Sequence, residues 1–120
     1  RSANAVVKWA TLNAVVAARI ERLKHIARNT PDEPATIEFT RTELEALRIL
    51  KEEQKKRTET LAPGVPSIAV ATRWVADLGG YVGARSSGPP GATVIGRGLE
   101  HLEIATAAIA AYKADRKKMR

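Results

Sequence analysis

The sequence predicts an all-α fold built from four helices. Aromatic residues make up 4% of the chain while alanine is abundant, which is typical of a core in which helices pack on helices. Apolar residues recur at steps of three and four in several segments, as the 3.6-residue period of a helix requires. No strand pattern is convincing beyond Thr36–Phe39. The apolar content suffices for one modest core.

The first helix is expected to begin at Ser2 or Asn4, either of which can cap it, and to run to about Arg28. Prolines within residues 29–34 then end it, because proline lacks the backbone N–H and clashes with the preceding turn. We expect the main domain boundary at this break, followed by a short extended piece at Ala35–Phe39. The apolar face of the helix consists of Val6, Trp9, Leu12, Val16, Ile20, Leu23 and Ala27.

A capping box predicts the start of the second helix. Thr40 and Glu43 have the required spacing, in which the Thr oxygen accepts from the third backbone N–H and the Glu reaches back. The polar run 51–57 has no apolar face, so it is interpreted as a solvated helix end or a mobile linker. Prolines in 62–66 break the chain again. The helix carries a narrow apolar stripe of Leu44, Leu47 and Leu50.

The third helix is expected to start near Ser67. Gly79 is predicted to be its left-handed C-terminal cap, because glycine has no Cβ to strain that conformation. Tyr81 can then fold back onto the helix end, and residues 84–91 form a Gly/Pro-rich loop. One face of the helix carries Ile68, Ala71, Trp74, Val75 and Leu78.

The last helix, from about Thr93 to Lys117, carries a heptad seam. Its steps of 3, 4, 3, 4 and 3 run through Ile95, Gly98, Leu102, Ala105, Ile109 and Tyr112. A second apolar edge includes Leu99, Thr106 and Ala108. Such a helix could bury one face in its own domain and offer the other to a copy of itself. The same pattern fits a helix whose seam is buried entirely within one molecule.

Charge and composition narrow the function. The net charge of +7 and the pI near 10.1 favour a polyanionic partner such as DNA, although a solvated basic surface explains the same charge. The chain has no cysteine, which excludes disulfides and thiolate metal sites. No apolar run approaches the roughly 20 residues that a membrane span requires.

Signals of catalysis are poor. Glu100 and Glu103 lie one turn apart, which is ordinary spacing for a solvated helix face. His25 lies among basic residues and His101 beside an apolar stripe, so neither is interpreted as a catalytic base. Residues 88–91 are not followed by the Lys and Ser/Thr of a phosphate-binding loop. We therefore predict no catalysis by this chain alone.

Four segments occur in an informative order: Val15–Ile20, Phe39–Leu47, Ala76–Tyr81 with its Leu-Gly-Gly-Tyr, and Ile95–Leu102. Together they resemble the C-terminal region of bacterial cut-and-paste transposases of the DDE class, of the Tn-five type (insertion-sequence family four). Val15–Ile20 is similar to the helix that closes that family's RNase H-like catalytic core. Gly96 and Leu99 stand where the family usually carries tryptophans.

The resemblance implies a four-helix C-terminal dimerisation domain preceded by the last helix of the catalytic core. Residues 1–30 would be that helix, 31–66 a linker with the capped helix, and 67–120 the dimerisation domain, two helices joined by a Gly/Pro loop. The implied function is synapsis without catalysis: two transposases pair so that both transposon ends are held together. The DDE metal ligands would lie upstream, so Mg²⁺ is expected in the parent protein and no cofactor in this chain.

The resemblance and the seam together assign the site residues. The implied partners are a second copy, paired with or without the help of DNA, and transposon-end DNA through the parent protein; no membrane partner is expected. The implied location is the bacterial cytoplasm, at the nucleoid. The predicted dimer interface is Ile95, Gly98, Leu99, Leu102, Ala105, Ile109 and Tyr112. Candidates for phosphate contacts that position DNA without reading its sequence are Arg19, Arg22, Lys24, Arg28 and Arg85.

An alternative from another class is an autonomous basic helical DNA-binding module, which the charge favours. A helix-turn-helix reader needs a short turn and a recognition helix with polar side chains that read bases. The Gly/Pro loop and the alanine-rich last helix do not fit that pattern.

Overall fold

The architecture is a bundle of helices that share one core. The computed structural model describes residues 3–54, 60–81 and 89–118. Within these ranges the all-α prediction is confirmed, and no strand is formed. The elements are α1 (Ala3–Asn29), a short 3-10 helix (Ala35–Ile37), α2 (Arg41–Gln54), α3 (Ile68–Leu78) and α4 (Ala92–Lys118).

Side chains cap two of the helices as the sequence predicts. The backbone N–H of Thr40 donates to Glu43 Oε1 at 2.9 Å, and the N–H of Glu43 donates to Thr40 Oγ1 at 3.1 Å. These two bonds form the reciprocal capping box at the start of α2. Ser67 caps α3 by accepting from the N–H of Val70 at 3.3 Å.

The segment Ala35–Phe39 is not extended, so that prediction is wrong. It turns tightly instead: the N–H groups of Glu38 and Phe39 both donate to the carbonyl of Ala35. Ala35 is fully buried and also bonds through its N–H to the carbonyl of Pro66. Burial of Ala35 and Phe39 in the core therefore decides the conformation of this segment over its local β propensity.

The end of α3 differs from the prediction at one glycine. Gly79 has φ −86° and is not left-handed; the left-handed residue is Gly80, with φ +96°. Gly79 is required for another reason, because a Cβ there would overlap the carbonyl oxygen of Val94. Tyr81 returns to the helix end as predicted, since its N–H donates to the carbonyl of Ala76 at 3.0 Å.

The core draws on all the predicted segments. Leu23 from α1 is fully buried with Leu47 from α2, Ile68 from α3 and Leu102 from α4. The N-terminal part of α1 is not buried in this core, since Val6 and Val7 are 57% and 62% exposed. The side chains of Trp9 and Leu12, predicted for the same face, lie outside the described residues. The division at residues 30 and 66 stays a prediction, but α1 packs in the same core as the rest.

Helices α3 and α4 approach unusually closely. A Cβ on Gly98 would overlap the carbonyl oxygen of Val75, just as one on Gly79 would overlap that of Val94. Two glycines, one on each side, thus allow backbone to pack against backbone. This close approach lies within one molecule.

Candidate functional site

The predicted seam of α4 is the face that packs into the molecule's own core. Ile95 and Leu102 are fully buried, Leu99 is 3% exposed, and Gly98 lies against α3. In this structure these four residues lie in the core of the same molecule, and their place at a dimer interface stays a prediction. Ala105 and Ile109 are partly buried against the same core. The seam is covered because Gly98 allows the backbone of α3 at Val75 to lie directly against α4.

Beyond Ile109 the seam leaves the core. Tyr112, the last predicted interface residue, is 62% exposed, and every described residue after it is exposed. Arg116 lies 5.9 Å from the centre of the Tyr112 ring, on the next turn. Of the seven predicted interface residues, Tyr112 is therefore the most exposed, while Ala105 and Ile109 are partly accessible.

The outward face of α4 lies opposite the seam and changes character along the helix. Successive residues of a helix are rotated by about 100°, which places Arg97, Glu100 and His101 together on the first half of this face. All three are exposed. Its second half presents an apolar stripe, which we call the pairing face. The pairing face consists of Ile104, Ala107, Ala108 and Ala111 on the outward side and of Tyr112 at its edge toward the seam, all exposed. Ile104, at 73% exposure, is the most exposed large apolar side chain described.

A groove of about 530 Å³ between α1 and α4 adjoins this face. Val15 and Val16 form one wall and Ile104 the other, with Gly96 and Leu99 at the α4 side. A Cβ on Gly96 would lie 3.3 Å from Ile20 Cδ1, so the glycine helps α1 to lie close to α4. The apolar surface thus continues from α4 onto α1.

Arg19 ties three helices together at the end of the groove. Its guanidinium donates to Glu43 Oε2 of α2 at 2.8 Å and to Glu103 Oε1 of α4 at 3.1 Å. The same group lies 5.3 Å from the centre of the Phe39 ring. Arg19 is therefore engaged inside the fold, whereas the sequence assigns it to DNA.

The two carboxyl groups that face Arg19 differ in their titration. Burial raises the pKa of Glu43, but hydrogen bonds from the Thr40 N–H, Glu103 and Arg19 outweigh it, and the net pKa is lowered. The hydrogen bond to Glu43 raises the pKa of Glu103, and partial burial raises it further. Glu43 is thus the anion of the pair, and Glu103 is the group that keeps its proton to higher pH.

The other predicted phosphate contacts fall into three cases. Arg22 is paired internally, its Nε donating to both carboxylate oxygens of Glu38 at 2.9 and 2.8 Å. Lys24 and Arg28 lie on the far part of α1 and border a second, basic cleft. Arg85 lies outside the described residues. The structure thus brings two of the five predicted residues together.

The basic cleft measures about 290 Å³ and lies where α1 ends, α3 begins and α4 starts. Arg73 joins Lys24 and Arg28 at this cleft. The sequence does not single out Arg73, because its spacing to Asp77 is ordinary for a helix surface. Arg73 Nε donates to Asp77 at 3.2 Å, and its guanidinium lies 4.6 Å from the centre of the Tyr81 ring. Apolar walls come from Ala27, Ala69, Pro89, Pro90 and Ile95.

Neither a metal site nor a membrane-spanning helix is found among the described residues. Within residues 3–54, 60–81 and 89–118, no three His, Asp or Glu side chains are grouped so that they could hold a metal ion. None of the described helices combines the length and the apolar character that crossing a membrane demands.

Comparison with known proteins identifies a family. The family described as "Transposase Tn5 dimerisation domain" matches residues 15–117. The matched region includes the groove, the pairing face and the basic cleft, and leaves out the first turns of α1. No curated protein and no solved structure matches the chain.

Proposed function

The chain belongs to the Tn5 transposase dimerisation domain family, and from this premise we propose that two copies pair through the pairing face of α4. A dimerisation role in a transposase follows from the family itself. The surface used is our proposal. It moves the contact from the seam to the opposite face of the same helix, around Ile104.

The observation that carries the proposal is the exposure of Ile104 on a helix whose other face is closed. Ile104 is 73% exposed and Tyr112 is 62% exposed. Ala107, Ala108 and Ala111 lie between them, and small side chains let a second helix come near, within the 8–10 Å separation usual for packed helices. Exposed apolar stripes of this kind are characteristic of interaction surfaces.

The groove beside α1 supplies the additional area that pairing requires. A stable interface buries about 800 Å² on each partner, which is more than one stripe of a helix offers. Val15 and Val16, 62% and 39% exposed, extend the apolar surface from Ile104 onto α1. We assign the groove to the same interface for this reason.

Within a transposase, pairing would serve synapsis. Joining two proteins, each bound to one transposon end, raises the effective concentration of the second end near the first. Cleavage and joining of DNA with Mg²⁺ would belong to other parts of the parent protein. This domain would contribute the pairing, and the homodimer is the assembly proposed.

Sedimentation equilibrium from micromolar to near-millimolar concentration tests the proposal with a matched pair of variants. Ala108→Arg and Ala110→Arg make the same change at two exposed positions, about 200° apart around α4. Ala108→Arg is expected to weaken self-association at least tenfold, because it buries an unpaired charge. Ala110→Arg is expected to leave it within about twofold of the unmodified chain.

Either of two results would contradict the proposal. Equal weakening by both variants would mean that added charge alone, and not the face, controls association. A dimer that Ala108→Arg leaves intact would place the interface elsewhere. Urea unfolding of both variants shows whether the monomer is unchanged, which exposure of both positions predicts.

A further inference from the structure

We propose that the second copy lies antiparallel on α4, and that Arg97 and Asp115 set this direction by pairing with each other across the two copies. This arrangement rests on the proposed function, in which two copies meet through the pairing face. Arg97 and Asp115 lie beyond the two ends of the pairing face, and neither lines the groove or the basic cleft. They would therefore determine how the copies meet and not whether an apolar contact exists.

A second heptad repeat runs along the outward face of α4. A spacing of alternating four and three residues keeps one stripe toward a partner helix when two helices cross at about 20°. Such a stripe fits a contact along several turns better than a single crossing point. This outward repeat, in which every side chain is exposed, consists of Arg97, His101, Ile104, Ala108, Ala111 and Asp115.

The outward repeat is apolar in its middle and charged at its ends. Ile104, Ala108 and Ala111 occupy the middle, whereas Arg97 and Asp115 carry opposite charges at the two ends. Among the described residues, neither Arg97 nor Asp115 forms an ion pair or a side-chain hydrogen bond. Both charges are therefore free to pair with a second copy without breaking a contact that the described fold contains.

A parallel copy would bring like charges together. In a parallel pair each position meets its own counterpart, so Arg97 would lie beside a second Arg97 and Asp115 beside a second Asp115. The whole helix has the same asymmetry: residues 92–103 hold one arginine and two glutamates, while residues 113–118 hold four basic residues and one aspartate. Contacts between like charges disfavour an arrangement, so the parallel direction is selected against.

An antiparallel copy brings unlike charges together at both ends. With the two-fold axis level with residue 106, Arg97 of one copy lies level with Asp115 of the other, and symmetry repeats the pair. In the middle Ile104 lies level with Ala108, so a large side chain meets a small one. The two helix dipoles also oppose each other, which is favourable.

The same charges select the register. If the copies slide until Ala108 lies level with Ala111, Asp115 comes to lie against Ile104. A carboxylate would then be covered by an apolar side chain without a cation beside it, which is costly. The register centred on residue 106 avoids this contact and keeps the apolar residues together between two ion pairs.

Charge reversal in the 120-residue chain tests the arrangement by sedimentation equilibrium. Arg97→Glu and Asp115→Arg are each expected to weaken self-association about tenfold, because each creates two like-charged contacts in a symmetric dimer. The double variant Arg97→Glu/Asp115→Arg keeps the net charge and restores opposite charges across an antiparallel pair. Its affinity is therefore expected to return to within about twofold of that of the unmodified chain.

The matched control is Lys117→Glu. It makes the same change of charge as Arg97→Glu at an exposed position about 180° around α4 from Ala108. We expect it to leave self-association within about twofold of the unmodified chain, since an exposed charge far from the contact has little effect.

A distance measurement gives the direction independently. Because the chain has no cysteine, Lys118→Cys provides a single site for a nitroxide label. With a rise of about 1.5 Å per residue, antiparallel copies centred on residue 106 hold their positions 118 about 36 Å apart along the helix axis, whereas parallel copies hold them about 8–10 Å apart.

The outcomes separate this arrangement from the pairing itself. Recovery in the double variant and a long distance at position 118 support it. Single variants as strong as the unmodified chain, a double variant as weak as the single ones, or a short distance at position 118 would overturn it. If Ala108→Arg still weakens association in that case, the pairing face stands and only the direction is wrong. If Ala108→Arg and the charge reversals all leave association unchanged, both proposals fail.

Discussion

The two halves of α4 share one apolar repeat but meet different surroundings. From Ala92 to Leu102 the repeat is buried against α3, with Ile95 and Leu102 fully covered. From Glu103 to Lys118 the helix carries Ile104 and Tyr112 at 73% and 62% exposure. The first half serves folding, and by our proposal the second half serves pairing.

The two halves of α4 differ in burial because only the first half lies against the backbone of α3; their apolar patterns are the same. In the first half Gly98 allows the carbonyl of Val75 to lie against α4, so the seam has a partner within the molecule. The two helices run in opposite directions, with Gly79 beside Val94 and Val75 beside Gly98, so the end of α3 nearest the second half of α4 is its first residue, Ile68. A heptad repeat therefore predicts which residues share a face, while the lengths of neighbouring helices decide whether that face is covered.

The largest expected effect belongs to the buried half. Gly98→Ala should destabilise the monomer by about 3 kcal/mol, because the added Cβ would overlap the Val75 carbonyl and the backbones must separate. Urea unfolding measures the change. The matched control is Gly91→Ala, where an added Cβ meets nothing within 4 Å, and its effect should stay within about 0.5 kcal/mol. Equal stability of the two variants would show that the α3–α4 crossing is not as tight as described.

A smaller loss of stability is expected from removing Arg19, which contacts Glu103 where the two halves of α4 meet. Arg19→Met should cost about 2 kcal/mol, because it leaves Glu43, 8% exposed, without its cation inside the fold. Arg97→Met removes an exposed arginine from the outward face of α4 and serves as the control, with little change expected. Thermal or urea unfolding compares them. A loss no greater for Arg19→Met than for Arg97→Met would make Arg19 an ordinary surface charge and return it to the candidates for DNA.

The smallest effect concerns Glu103 and its pH dependence. A raised pKa in the folded state means that the contribution of Glu103 is complete at acidic pH and is lost as pH rises through that pKa. Glu103→Gln should match the unmodified chain at acidic pH and exceed it slightly near neutrality, by no more than about 0.5 kcal/mol because the side chain is mostly exposed.

Glu43 has the opposite sign and provides the comparison. Its lowered pKa means that its contribution is present at neutral pH and is lost as pH falls through that pKa. Glu43→Gln should therefore be less stable than the unmodified chain near neutrality, and the gap should narrow on acidification. Parallel pH profiles of Glu103→Gln and Glu43→Gln would contradict the division of roles between the two carboxyl groups.

Local signals in the sequence predict most of the helices. Thr40 with Glu43, and Ser67 before an apolar face, are chemical start signals that depend on a few neighbouring residues, and both hold. Ala35–Phe39 was misassigned because its conformation depends on burial against distant residues. The assignment of Gly79 fails for a related reason, because its role depends on Val94, which lies 15 positions further along the chain.

The candidate surfaces are less predictable. Arg19 and Arg22 look like free cations in the sequence, and only the fold shows that Glu43 and Glu38 engage them. The basic cleft joins Arg28 with Arg73, 45 positions apart in the chain, so no local spacing reveals it. The seam of α4 was recognised, but its burial depends on α3.

The central claim is that the exposed half of α4 contacts a second copy while the buried half does not. The chain contains no cysteine, so Tyr112→Cys gives a single site for a nitroxide label. Ile37→Cys, 48% exposed on the 3-10 helix, gives a reference site. Pulsed electron resonance on each singly labelled chain at high concentration measures the distance between copies. With helices packed 8–10 Å apart, our account predicts a distance below about 30 Å at position 112 and a longer one at position 37. A longer distance at 112 than at 37, or no coupling at either, would contradict it.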